Sequence, residues 1–336
     1  MNDRLTNLFN SFNDLNVLII GDVMVDSYLW GNVERISPEA PVPIVSVSRR
    51  ENRMGGAANV ALNIKSLGAN PILCSVVGND LKGEEFIQLL EKQQMETLGI
   101  LKSKKRVTTT KFRVIGNNVQ MLRVDEETDK TLSREDQDDL YNIFLKIIKT
   151  KKIDVVIFQD YDKGVITANL IKGVVDIANE KGIPISVDPK KKNFSNFKNV
   201  SLFKPNLKEL KEGLNIDFDS VNKKELAAMT RKLNELINPK ITLITLSEDG
   251  VFVDYPDGPV QNSELIPSHV RSISDVSGAG DTVISVASLC LACKISPIWM
   301  ASISNLAGGL VCEEVGVVPI NKNQLLEEAE KLTDDR

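Results

Sequence analysis

Short apolar runs alternate with longer amphipathic stretches along most of this chain. Val17-Leu18-Ile19-Ile20-Gly21 is an apolar run closed by glycine, which predicts a buried strand. Pro71–Val76 predicts a second strand and Gly83–Gln94 a helix. Beyond Asp125 the alternation becomes regular. Helix Arg134–Lys149 leads to strand Ile153–Gln159, and helix Ala168–Glu180 leads to strand Pro184–Asp188. Ser201–Lys204 is a short strand stopped by Pro205, and Ile241–Leu246 is followed by a hairpin partner at Val251–Tyr255. Two apolar helices near Val283–Cys293 and Pro297–Cys312 precede a polar helix from Lys322. Repeated strand–helix units predict an α/β fold: a doubly wound, mostly parallel central sheet with helices on both faces.

Two stretches depart from this rhythm. Arg35–Pro43 carries three prolines within residues 38–43 and cannot be an interior strand or helix, after which Ile44–Ser48 alternates as a strand. Thr108–Ile115 and Val119–Asp125 flank Gly116-Asn117-Asn118, a β-hairpin signal. Together they predict a small β-lid, inserted from about residues 25–50 and 107–125 into a single domain spanning 1–336, with no linker or internal repeat. Lys111 and Arg113 fall on one face of the hairpin, and Arg123 comes from its other strand. Such cations form either the wet side of a sheet or a grip for a phosphate.

Composition narrows the partners. With 42% hydrophobic and 26% charged residues the chain has an ordinary globular balance, and its formal net charge of −5 gives no general attraction to nucleic acid or an anionic membrane. The N-terminus lacks a basic head and apolar core, and no apolar run reaches the length of a membrane span; a cytoplasmic location is expected. Four cysteines inside apolar segments predict free thiols rather than a metal site, and the single histidine, His269, leaves little room for His-based catalysis.

The candidate chemistry sits in Asp275-Val276-Ser277-Gly278-Ala279-Gly280-Asp281-Thr282. A Gly-Ala-Gly turn opening a helix leaves backbone N–H groups unpaired and unshielded, which suits an anion, above all a phosphate. Asp281 sits where a phosphate would be repelled unless the carboxylate does chemistry; an ordinary capped helix start is the competing reading. Gly55-Gly56-Ala57-Ala58-Asn59 is a second Gly-rich turn feeding a helix that runs to about Leu67, with Asn59 able to reach a ligand. After the first strand, Asp22 reads as turn chemistry and Asp26 as an acceptor for sugar hydroxyls. Asn206 and Glu209 have the spacing of a capping box, or of a pair holding a metal through water. Neither G-x-x-x-x-G-K-[ST] nor G-x-G-x-x-G occurs. An anion turn bearing a carboxylate, a small-residue turn and a lid fit phosphoryl transfer to a sugar hydroxyl, with Mg²⁺ bridging the phosphates.

In Gly55–Ala61 and Asp275–Thr282, in that order, the chain resembles the ribokinase-like, phosphofructokinase-B type carbohydrate kinases over nearly its whole length. Gly21–Asp26, Arg35–Pro43, Asp160-Tyr161 with Lys163-Gly164, Asp188-Pro189-Lys190 and Pro205-Asn206-Leu207 with Glu209 are similar to D-glycero-β-D-manno-heptose 7-phosphate kinases, which act in lipopolysaccharide core synthesis. The resemblance implies Asp281 as catalytic base and Gly278, Ala279 and Gly280 as anion hole. It implies Asp26, Gly55, Gly56 and Asn59 at the sugar, and Asn206, Leu207, Lys208, Glu209, Ser247, Gly250 and Asn305 at ATP. Lys111, Arg113 and Arg123 are the candidates for the substrate phosphate, on charge and lid position. ATP as co-substrate, Mg²⁺, a K⁺ site and a homodimer follow from the resemblance as well. Lys191-Lys192 and Glu313-Glu314-Val315-Gly316-Val317 depart from the pattern, the latter where a cation site and the adenine edge are expected. Bifunctional relatives add an adenylyltransferase domain with an HxGH motif, and that activity is expected to be absent. A same-fold kinase for another sugar and a non-catalytic sugar or nucleotide sensor stand as alternatives.

Overall fold

In the computed structural model, which describes residues 2–216, 222–269 and 273–334, helix α1 (Asn2–Ser11) leads into strand β1 (Asn16–Gly21). Side chains of β1 are buried on both faces: Val17 and Ile19 join one apolar cluster, Leu18 and Ile20 the other. That period-two division is why a central parallel strand reads as an unbroken apolar run. The chain continues through β2 (Val23–Ile36), β3 (Pro43–Gly56), α2 (Ala57–Ser66), β4 (Asn70–Gly78), α3 (Leu81–Lys92) and β5 (Ile100–Ser103). Then come β6 (Thr110–Gly116), β7 (Val119–Glu126), α4 (Arg134–Thr150), β8 (Val155–Gln159), α5 (Ala168–Glu180), β9 (Ile185–Asp188) and β10 (Leu202–Phe203). The remainder is α6 (Leu207–Leu214), α7 (Lys223–Ile237), β11 (Ile241–Thr245), β12 (Val251–Asp257), β13 (Val260–Ile266), α8 (Ala279–Ala292), α9 (Pro297–Val311) and α10 (Lys322–Asp334). Short polar side chains start most of the middle helices: Asp80, Ser133, Thr167, Asn206, Asn222 and Ser296 each accept a first-turn amide.

Nine strands form the central sheet in the order β13-β12-β11-β10-β9-β8-β1-β4-β5. It is parallel from β5 to β11, and β12 and β13 add antiparallel at one edge. From β1 the chain pairs outward with β4 and later returns to pair with β8 on the other side. Ligands of open α/β sheets bind at the carboxyl ends of strands beside such a switch. A second sheet, order β3-β2-β6-β7, holds the two predicted β-rich stretches, with β2 and β6 parallel and the other pairs antiparallel.

The pattern predicts a turn at Gly55-Gly56 and no strand over Val23–Ile36, and both differ in the structure. Gly55 and Gly56 are the last residues of β3, and β2 is a 14-residue strand. The first half of β2 is buried on both faces and the second half is partly exposed, so no single periodicity runs through it. α7 is also absent from the predicted elements, although Leu226, Met229, Leu233 and Ile237 give it a helical apolar stripe. The four cysteines are free, and no helix among the described residues is long and apolar enough to cross a membrane.

The β1–β8 contact is tight because Gly21 lies directly against Gln159. A Cβ on Gly21 would collide with the Gln159 carbonyl oxygen and sit 3.1 Å from Ala57 Cβ. Gly21→Ala is therefore expected to destabilise the fold by about 1–3 kcal/mol, the usual cost of overpacking. Denaturant titration measures this, and an unchanged midpoint would show that the strands part freely.

Candidate active site

Gly278 caps α8 in the left-handed region, φ 84°, without a side-chain cap. Ala279, Gly280 and Asp281 form the first turn, where helix amides have no intrahelical acceptor. A Cβ on Gly280 would meet nothing closer than Lys204 Nζ at 3.7 Å and Asp188 Oδ2 at 3.9 Å. A glycine at 280 thus leaves room for close approach beside an ammonium and its partner carboxylate, whereas Gly278 is packed on Asn59 and Val317, 3.1 Å from where its Cβ would be. A helix start with an ammonium beside it is a setting for a phosphoryl group. Lys204 is only 2% exposed and is ion-paired with Asp188 at 3.1 Å.

Asp281 itself is buried, and three donors from distant segments converge on it. Asn59 Nδ2 donates to Oδ2 at 2.6 Å, while Tyr161 Oη and Gln159 Nε2 donate to Oδ1 at 2.8 and 3.1 Å. Burial pushes the Asp281 carboxyl up to about 6; the Asn59 and Tyr161 hydrogen bonds oppose this, as does Lys204, while Asp188 adds to it. Burial and Asp281's charge hold the Tyr161 phenol well above its ordinary range, so it stays a donor.

The structure also brings most of the other predicted residues into two groups. Gly55 packs against Asp26 so closely that a Cβ would strike the carboxylate, and Gly56, φ 62°, lies on the Asp22 carbonyl. Asp26 is ion-paired with Arg113, and Lys111 stands opposite Asp26 in register. Farther along the sheet edge, Asn206 and Glu209 form a reciprocal capping box, and Glu209 is also paired with Lys190. Gly250, in the turn begun by Ser247, abuts Ile266 and Pro267, and Asn305 donates to the Pro267 carbonyl at 2.8 Å.

Three predicted residues fall outside these groups. Lys208 is 82% exposed and pairs with Glu212 on the outer face of α6, because two residues past the cap its side chain turns away from the strand ends. Leu207 packs into the core beneath α6. Arg123, on edge strand β7, is exposed and held by Asp125, although it stands opposite Arg113 in register.

Gln159, Tyr161, Asp188 and Lys204 are absent from the predicted catalytic set. Each ends or follows a parallel strand, the signal that marked them in the sequence, and Tyr161 and Asp188 also lie in segments that carry the family resemblance. Asp22 holds the loop after β8: its carboxylate, 1% exposed, accepts the backbone N–H groups of Tyr161, Lys163 and Val165.

The sequence profile described as pfkB family carbohydrate kinase matches residues 14–323. The chain belongs to this family. It is 39% identical over 302 residues to bifunctional protein HldE of Helicobacter pylori (strain HPAG1), covering 89% of this chain and 63% of the relative. The corresponding figures for HldE of Geobacter metallireducens are 33% over 323 residues, 96% and 64%. The chain therefore spans just under two thirds of the length of these relatives. The fold is similar to phosphofructokinase-2 from Escherichia coli in complex with potassium, with a TM-score of 0.77 at 18% identity, covering 95% of this chain and 99% of that one. It is also similar to Arabidopsis thaliana ribokinase complexed with ribose and ATP, with a TM-score of 0.67 at 15% identity and coverage of 93% and 99%. The protein is a carbohydrate kinase of ribokinase-like fold.

The Asp281 environment gives a pH dependence. A carboxyl with its pKa raised to about 6 accepts a proton only above that pH. The kcat/KM for the sugar is expected to fall about tenfold per pH unit below pH 6 and to level off above it. A flat profile between pH 5 and 7 would exclude Asp281 as the titrating base.

Proposed function

We propose that this kinase phosphorylates the anomeric C1 hydroxyl of D-glycero-β-D-manno-heptose 7-phosphate from ATP, giving the 1,7-bisphosphate used for ADP-heptose and lipopolysaccharide core synthesis. The observation that carries the chemistry is the Asp281 carboxylate in the first turn of α8, hydrogen-bonded to Asn59 and next to the Gly-Ala-Gly turn. The heptose is supported by the resemblance of the Gly21–Asp26 and Arg35–Pro43 segments and by the HldE relatives.

In this reading the sugar lies between Asp26 and Asp281. Gly55 and Gly56 let it approach the backbone, and the second sheet acts as a lid that excludes water. Asp281 takes the C1 hydroxyl proton as that oxygen attacks the γ-phosphorus, and the bond from the γ-phosphorus to the bridging oxygen of ADP breaks. The amides of Gly278 and Gly280 and the Lys204 ammonium stabilise the negative charge on the transferring oxygens, joined by that of Ala279 once it leaves the Val276 carbonyl, 3.3 Å away. Arg113 and Lys111 hold the substrate's own phosphate, with Arg113 exchanging its pairing with Asp26 for the ligand. Glu209 and Asn206 spend their polar atoms on the cap and on Lys190, so the described residues fit Mg²⁺ held by the nucleotide phosphates and water rather than by direct side-chain ligation. Mg²⁺ held in this way would supply positive charge to offset that of the nucleotide phosphates. Ser247, Gly250 and Asn305 form the nucleotide-facing rim.

Edge strand β7 is exposed along its whole length and carries Val119, Met121, Leu122 and Val124. An unpaired apolar edge of this kind suits a second copy of the chain, and a homodimer in solution is expected by sedimentation. A monomer at micromolar concentration would refute it.

Asp281→Asn is expected to lower kcat about 10²- to 10⁴-fold with ATP affinity retained. Turnover of the heptose 7-phosphate is expected to exceed that of ribose, fructose and fructose 6-phosphate. Equal turnover of a hexose phosphate would move the assignment to another sugar, and no turnover with any of them would favour a sensor.

A further inference from the structure

The three donors that hold Asp281 come from residues 59, 159 and 161, and a single residue ties all three of their segments together. Asp22 is that residue. Its backbone N–H donates to the Gln159 carbonyl at 3.3 Å. Its carbonyl accepts the N–H of Ala57, the first residue of the helix carrying Asn59, at 2.9 Å. Its carboxylate accepts Tyr161 N at 2.9 Å, Lys163 N at 3.2 Å and Val165 N at 3.0 Å, fixing the loop that presents the Tyr161 hydroxyl.

The result at Asp281 can be counted. A carboxylate offers about four acceptor sites. Tyr161 and Gln159 occupy Oδ1, and Asn59 occupies one site on Oδ2, leaving one lone pair on Oδ2 open. A base with one open site takes a proton from one direction only. The geometry points to Asp22 as a positioning residue for phosphoryl transfer: it touches no substrate, and through Tyr161, Gln159 and Asn59 it fixes which Asp281 lone pair meets the sugar hydroxyl.

Asp22 has the burial such a role requires. Desolvation raises its pKa, and its backbone hydrogen bonds and the nearby Arg106 oppose that. Gly56, whose Cβ would collide with the Asp22 carbonyl, keeps the same contact short from the other side. The carboxylate matters more than the shape: an amide in its place would turn an N–H donor towards backbone N–H groups.

This inference rests on Asp281 being the proton acceptor, and the experiment separates the two. Asp22→Asn and Tyr161→Phe are compared with the wild type for kcat, both KM values and the pH profile of kcat/KM, using whichever sugar the enzyme turns over. Both variants are expected to lose roughly 10- to 100-fold in kcat with KM for ATP nearly unchanged. Both are also expected to move the acid limb to higher pH, because Asp281 loses a donor that holds its pKa down. The double variant is expected to be no worse than Asp22→Asn alone, since the two act through one path. A folded Asp22→Asn protein with an unmoved limb, or additive losses in the double variant, would overturn the proposal. If Asp22→Asn does not fold, the isosteric Tyr161→Phe decides it by the limb alone. An Asp281→Asn protein that kept full activity would instead sink the underlying base assignment.

Discussion

A carboxylate cannot be buried without donors, and Asp281 is buried at the head of an apolar helix. No local segment can supply what it needs: α8 offers Val283, Ile284, Val286 and Leu289 to the core. The donors come instead from α2, from the end of β8 and from the loop after it. They meet only when β1 and β8 pair in register, with Gly21 against Gln159. The pairing that makes the switch point therefore also gathers the donors around Asp281. Its cost is visible in the raised pKa of Asp281, and that same shift brings the group near the range where a general base works well.

The surroundings of the anion turn follow the same economy of charge. Lys204 and Asp188 are a buried pair, and Gln159 links Asp188 to Asp281 through one amide, at 3.3 and 3.1 Å. Such a pair gains little net stability against its desolvation. Its placement, with Lys204 Nζ 3.7 Å and Asp188 Oδ2 3.9 Å from a Cβ position on Gly280, gives it a better explanation, an ammonium held in place by its carboxylate beside the proposed site of phosphoryl transfer. Asp160, buried next to Asp22, is pushed up to about 7 by desolvation and by that neighbour, so negative charge behind the site is limited near neutral pH.

The second sheet arranges charge by register rather than by sequence proximity. Arg53 and Lys111 lie opposite Asp26 on the two strands flanking it, and Glu51 and Arg113 lie opposite Tyr28. The guanidinium groups of Arg53 and Arg113 stand over the Tyr28 ring at 5.0 and 5.3 Å. A short sheet thus gathers Arg53, Lys111 and Arg113 around Asp26, Glu51 and an aromatic ring, in a chain whose net charge is negative.

The apolar periodicity along the chain was enough to determine the doubly wound sheet, since strands buried on both faces and helices with one apolar stripe leave direct marks. The Gly-Ala-Gly residues themselves marked the start of α8, because small residues leave helix-start amides uncovered. The extent of β2, whose burial changes midway, left no such mark. Nor did the grouping of Asn59, Gln159, Tyr161 and Lys204 around Asp281 and its turn, since a hydrogen bond spanning 222 residues between Asn59 and Asp281 has no local signature. Arg123 and Arg113 show the converse: alike in sequence and opposite in register, they differ because one lies on an exposed edge strand and the other against Asp26. Sequence determined which chemistry was available, and only the pairing of strands decided which side chains share it, because distance in a sheet is set by register and not by position along the chain.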